Sequence, residues 1–86
     1  MFNMIKKFKN KVLSFSVIYE AAPEGGYVAF VPALEGCHTQ GETLEEAEKN
    51  IKEAILVYLE SLFAHKEEVP QETRILQGKV DVQINF

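Results

Sequence analysis

Residues 25–47, "GGYVAFVPALEGCHTQGETLEEA", contain a turn, two short stretches of strand-forming residues and the start of a helix. The segment "YVAFV" at 27–31 is apolar at every position, which predicts a strand covered on both faces. A proline ends it, and the chain turns toward a short strand at 37–40. Thr43 then opens a helix with Glu46 three residues later, which is the pattern of a capping box.

The helix that starts there is predicted to be long and amphipathic. It should end before Pro70, because a residue ahead of proline avoids helical backbone angles. Apolar residues recur at helical spacing on one side: Leu44, Ala47, Ile51, Ala54, Ile55, Tyr58, Leu59 and Leu62. We expect this side to cover a sheet.

Alternating segments on either side of this region predict two more strands. Residues 12–20 place apolar side chains at every second position, as in a half-buried strand. Residues 79–86 alternate in the same way and predict a fourth strand, with these residues facing inward: Val80, Val82, Ile84 and Phe86. The predicted fold class is α+β, in the order strand, strand, strand, helix, strand. Short links make the first three strands an antiparallel meander, and the helix allows a right-handed crossover if the fourth strand is parallel to its neighbour.

The charge distribution divides the 86-residue chain into a basic N-terminal segment, 1–11, and one domain, 12–86. The segment holds four lysines and no acid, whereas the domain carries a net charge of −8 within a total of −4. An acidic domain repels nucleic acid and attracts basic proteins. The lysines are typical of a solubilising tail, with contact to phosphate or to an anionic membrane as the alternative.

The expected location is the cytoplasm. The N-terminus does not have the pattern of a signal peptide, and no apolar run approaches the roughly 20 residues that span a bilayer. One cysteine cannot form a disulfide within the chain.

No reaction centre is predicted. Cys37 and His38 are adjacent on a strand and point to opposite faces, so the histidine is poorly placed to activate the thiol. Two histidines and one cysteine at these separations match no zinc spacing, and we expect no metal and no cofactor. The strand order also describes half of a ribonuclease-H-like fold, but Asp81 faces away from the apolar side and the first strand has no acid at its centre. A nuclease or hydrolase is therefore disfavoured, and we expect no catalytic residue.

Taken in order, the motifs resemble the HicB family of antitoxins over residues 13–86. The matching pieces are "GYVA" at 26–29, "VP" at 31–32, "GC" at 36–37, "TQG" at 39–41, "TLEEA" at 43–47 and "NIKEAI…YLE" at 50–60. The resemblance implies a HicB-like, partial ribonuclease-H-like fold without catalytic acids, in which "GC" is scaffold.

The resemblance also implies a partner. HicB-like proteins are antitoxin modules of type II toxin-antitoxin systems that bind and neutralise small basic RNA-cleaving HicA-like toxins by covering their active site and RNA surface. Charge complementarity between an acidic domain and a basic toxin would speed their encounter. Many HicB-type antitoxins continue into a DNA-binding segment, whereas this chain ends at Phe86, so we expect a stand-alone N-terminal domain with DNA binding in doubt.

Two hypotheses remain open for what packs against the second face of the apolar strand at 27–31. In the first, a toxin contacts the strand and its turn, and the predicted partner-binding residues are Tyr27, Phe30, Pro32, Leu34 and Glu35. In the second, a sister subunit covers it, and the protein is a homo-oligomer with a structural or regulatory role and no toxin partner.

Overall fold

Three antiparallel strands and one long helix form the fold in this computed structural model, which describes residues 12–71 and 75–86. The sheet has the order β1-β2-β3, and both neighbouring pairs are antiparallel. The strands and the helix are β1 (Ile18–Ala21), β2 (Tyr27–Phe30), β3 (His38–Gly41) and α1 (Leu44–Ala64). The predicted α+β meander followed by a helix is confirmed. The basic segment 1–11 lies outside the described residues.

The turn between β1 and β2 depends on glycine. The Ala22 N–H donates to the Gly26 carbonyl at 2.9 Å, and Gly26 has a φ of 80°. A Cβ atom on Gly26 would lie 2.7 Å from the carbonyl oxygen of Gly41 on β3. A side chain is therefore excluded here both by the backbone angle and by the close approach of another strand.

The core lies between the sheet and the helix, which packs mainly against β3 and β2. Its central residues each expose less than a tenth of their surface: Ala29, Val31, Leu34, Cys37, Ala47 and Ile51. The predicted inward side of the first strand is confirmed in part, because Phe15, Val17 and Tyr19 pack against this cluster. Residues 12–17 nevertheless belong to no strand, so β1 is shorter than predicted.

Side-chain hydrogen bonds fix the start of α1 as predicted. The Thr43 hydroxyl accepts from the Glu46 N–H at 3.1 Å, and the Glu46 carboxylate accepts from the Glu42 N–H at 3.0 Å. The first bond satisfies a donor that the first turn of a helix leaves without a carbonyl partner, and the second ties Glu42, the residue before the cap, to the same turn. Leu44 is 46% exposed, so the inward side of the helix begins at Ala47 and not at Leu44 as the spacing predicted.

The predicted fourth strand is not confirmed. Residues 75–86 belong to no strand, and the apolar residues expected to face inward are exposed: Val80 87%, Val82 74%, Ile84 67% and Phe86 111%. Alternation predicts which side chains share a face, but a strand also needs an edge with which to exchange hydrogen bonds. The sequence pattern contains no information about which edge that is. The ribonuclease-H-like detail of the fold is likewise not confirmed.

Candidate functional site

The sheet has a second face, opposite the helix, that the strand register defines residue by residue. Ala29 points into the core, so its neighbours Val28 and Phe30 point the other way. The register places Ile18 and His38 beside Phe30, and Glu20 and Gln40 beside Val28. We call these six residues the outer face: Ile18, Glu20, Val28, Phe30, His38 and Gln40.

The outer face combines an apolar centre with a polar margin. Ile18, Val28 and Phe30 are half-buried, whereas Glu20 and Gln40 are exposed at the two sides of Val28. An apolar centre within a polar rim is the usual anatomy of a protein-binding surface. This face is therefore suited to contact with another protein.

The turn at 31–37 joins β2 to β3 at one end of the sheet, directly after Phe30. The Val31 N–H donates to the Cys37 carbonyl at 3.0 Å, and the Cys37 N–H donates to the Leu34 carbonyl at 2.9 Å. The turn is thus tied to itself, and the fully buried Leu34 side chain anchors it in the core. Pro32 and Glu35 are left exposed on the turn that follows Phe30.

The five residues predicted to bind a partner do not form one surface. Phe30, Pro32 and Glu35 lie on the outer face or the adjoining turn, with exposed or half-buried side chains. Tyr27 packs against the core cluster on the helix side of the sheet. Leu34 has no exposed surface, so its place is in the core and not in a contact surface.

Sequence reasoning missed Ile18, Val28 and the polar residues beside them. Val28 lies within the stretch that was predicted to be apolar on both faces, so its outward direction follows from the buried Ala29 next to it. Ile18 joins it only through the cross-strand pair with Phe30, which the sequence alone does not show. Identifying these residues requires the register between the paired strands, which the sequence alone does not give.

Cys37 and His38 do not make a reactive pair. Cys37 is 5% exposed, and burial raises the pKa of its thiol, which favours the protonated, weakly nucleophilic form. His38 is exposed on the outer face, and consecutive strand residues point to opposite sides. His65, at the end of the helix, has its Nδ1 atom 2.8 Å from the Ser61 carbonyl oxygen.

Grooves also border the sheet within the described part of the chain. One, of about 640 Å³, lies between β3 and α1, with Cys37, Val57 and Tyr58 in its walls. Another, of about 690 Å³, lies between the β1–β2 turn and the helix start, with Glu24 and Glu42 in its walls. Within residues 12–71 and 75–86, no three histidine, cysteine or acidic side chains are grouped closely enough to hold a metal ion. The same residues include no helix with the length and apolar character to cross a membrane.

The meander and the helix define a small α+β domain with one sheet face under the helix and the other face opposite it. Residues 15–83 match the family described as HicB_like antitoxin of bacterial toxin-antitoxin system, and the chain belongs to this family. The predicted resemblance is confirmed.

Several curated proteins are similar to this chain. A UPF0150 protein of Synechocystis is 48% identical over 67 residues, which are 78% of this chain and 85% of that protein. A UPF0150 protein of Thermoplasma acidophilum is 50% identical over 60 residues, 70% of this chain and 87% of its own length. Antitoxin HicB 1 of Photorhabdus laumondii is 32% identical over 79 residues, which cover 92% of this chain but only 51% of that antitoxin.

Proposed function

We propose that this protein is the antitoxin module of a type II toxin-antitoxin system and neutralises a small basic, RNA-cleaving, HicA-like toxin. Membership of the HicB-like antitoxin family supports the antitoxin role, and one relative carries the printed name Antitoxin HicB 1. The proposal places the protein in the cytoplasm, where a toxin would meet its RNA, and gives it no catalytic step of its own.

The outer face is the observation that carries this proposal. Its half-buried centre offers Phe30 as an aromatic anchor, and aromatic residues dominate the energetics of many protein interfaces. Glu20 beside Val28 adds an exposed carboxylate to that centre, and Glu35 is exposed on the turn that follows Phe30. A toxin surface that binds RNA presents cations spaced for phosphates, and carboxylates can occupy those positions.

The charge of the whole domain supports the same partner. Residues 12–86 carry five basic and thirteen acidic side chains, so a basic protein is attracted at long range. Such attraction accelerates encounter and falls with salt, whereas the apolar centre contributes to the lifetime of the complex. The complex should therefore form more slowly at high salt, with a smaller effect on its dissociation.

Charge reversal on the outer face tests the proposed contact. The probe is a small basic HicA-like protein sought in the neighbouring reading frame, and its association with the wild-type chain and two variants is measured at low and high salt. We expect Glu20→Lys to weaken binding by about 10-fold or more, which is the effect of losing one charge pair and adding a repulsive one. Glu60→Lys makes the same change on the exposed side of the helix and is the matched control.

The two variants separate a specific contact from general attraction. If both weaken binding equally, the outer face is not the contact surface, although the toxin is still a partner. If the wild-type chain binds no neighbouring basic protein and leaves its RNA cleavage unchanged, the antitoxin proposal fails.

A second candidate function is a homo-oligomeric structural or regulatory protein without a toxin partner. The exposed apolar side chains of residues 80–86 favour it, because such a surface is usually covered in solution. Sedimentation of the chain alone tests it, and a monomer at about 50 µM would exclude it.

A further inference from the structure

The C-terminal residues 79–86 have the alternating sequence pattern of a strand but no strand partner among the described residues. Four apolar side chains alternate with four polar ones, and the apolar residues are 67–111% exposed: Val80, Val82, Ile84 and Phe86. In the described residues, this segment pairs with no strand of its own chain. An exposed alternating segment is a template for pairing with a sheet edge.

The outer edge of β1 is such a sheet edge. The Ala22–Gly26 hydrogen bond fixes the alternation of the ladder, so Glu20 and Ile18 bond to β2. Tyr19 and Ala21 then direct their backbone N–H and carbonyl groups away from β2. No described strand lies on that side, since the sheet order is β1-β2-β3.

The opposite edge of the sheet is less suited to a further strand. On β3, the outward-pointing carbonyl of Gln40 already accepts from the Asn50 side chain of the helix at 2.9 Å. The helix packs mainly on β3 and β2, so β1 is the strand that the helix covers least, and Val17 and Tyr19 lie on its helix side.

We propose that residues 79–86 add to the outer edge of β1 in a second copy of this chain, and that two copies exchange these strands reciprocally. The four apolar side chains then lie beside Val17 and Tyr19 of the other copy, and the polar ones face solvent. One two-fold axis relates both exchanges, so the assembly closes as a dimer and leaves neither segment unpaired.

The area is sufficient for a stable dimer. A buried apolar side chain contributes about 1.5–3 kcal/mol at about 25 cal/mol per Å², which corresponds to roughly 60–120 Å² each, so the exposed part of one segment amounts to about 300 Å². Two segments and the surfaces they cover reach roughly the lower end of the 1,200–2,000 Å² that stable interfaces bury. The proposal does not depend on the toxin, because a dimer can be measured in its absence.

The first experiment is sedimentation of the full chain and two double variants at about 50 µM. We expect the wild type to be a dimer and Val82→Asp with Ile84→Asp to be a monomer, with dimer affinity reduced at least about 100-fold. Gln83→Asp with Asn85→Asp puts the same two charges on the polar side of the segment and should remain a dimer. Circular dichroism of each variant checks that α1 is intact.

A second experiment distinguishes exchange from a fourth strand within one chain. A nitroxide spin label is attached at Asn85→Cys in unlabelled protein, which is mixed with ¹⁵N-labelled wild type. The native Cys37 is 5% exposed and is protected from the label by burial. We expect the label to broaden the amide signals of Tyr19 and Ala21 in the ¹⁵N-labelled copy.

Several results would overturn the proposal. A monomeric wild type, a dimer that survives the Val82 and Ile84 charges, or broadening centred on β3 would each do so. Broadening that occurs only when spin label and ¹⁵N share one chain would show that the segment completes its own sheet.

Discussion

Leu34→Ala tests whether the 31–37 turn is held by its buried side chain. Leu34 has no exposed surface and is the largest fully buried side chain among the described residues. The change removes three carbon groups, which at about 0.8 kcal/mol each gives about 2.4 kcal/mol of lost transfer free energy. A residual cavity adds to this, so we expect a loss of about 3 kcal/mol, within the 2–5 kcal/mol range of such changes.

The assay is urea unfolding followed by helix circular dichroism, with a thermal melt alongside. For a domain of this size, about 3 kcal/mol corresponds to a fall in Tm of roughly 12–24 °C. The matched control is Leu56→Ala, which deletes the same atoms from a side chain that is 55% exposed on the helix, and we expect a change within about 0.5 kcal/mol. A loss below about 1 kcal/mol for Leu34→Ala, or equal losses for both variants, would refute the assigned role of Leu34.

Three further predictions concern the scaffold of the site. Gly41→Ala should lower the free energy of unfolding in urea by at least about 2 kcal/mol, because the new Cβ would lie 2.5 Å from the Ala47 nitrogen. The control is Gly78→Ala, whose Cβ meets no atom within 4 Å and which should change the free energy little. Equal losses of stability in the two variants would contradict the close approach at Gly41. Thr43→Ala should cost about 1 kcal/mol and Thr43→Ser much less, since only alanine removes the capping oxygen; equal losses would show that the cap contributes nothing. Because burial raises the pKa of the Cys37 thiol, the unfolded chain loses this proton first as pH rises, so the free energy of unfolding should fall above the ordinary cysteine range. Cys37→Ala should reduce that fall, and an unchanged pH profile would contradict the assignment.

The helix was the part of the fold most fully determined by local sequence. Thr43 and Glu46 lie three residues apart and form the hydrogen bond that this spacing predicts. The apolar spacing identified Ala47 and Ile51 as core residues, and both are buried. Leu44 departs from the pattern because it lies in the first turn, ahead of the part of the helix that reaches the core.

The number and order of the strands were predictable only where strands that are neighbours in the sequence pair with each other. β1, β2 and β3 are joined by short turns, so each finds its partner next to it in the chain. Residues 79–86 follow a long helix, and their partner edge is set by contacts far along the chain or on another copy. The alternation of apolar and polar residues does not determine which sheet edge this segment pairs with.

The sequence predicted only part of where the candidate residues lie. Phe30 lies on the outer face, and Pro32 and Glu35 lie on the turn that follows it, while their role in binding stays a prediction. Ile18 joins them only through the register of two strands, and Leu34 turns inward within the same turn. The direction of one side chain in a tight turn depends on the core that receives it.

Toxin neutralisation is tested most directly by titrating the purified protein into a fixed amount of a small basic, RNA-cleaving HicA-like protein, with cleavage of a fluorogenic RNA as the readout. The account predicts that cleavage falls linearly to zero at a fixed molar ratio. Full cleavage at a tenfold excess of this protein would contradict it.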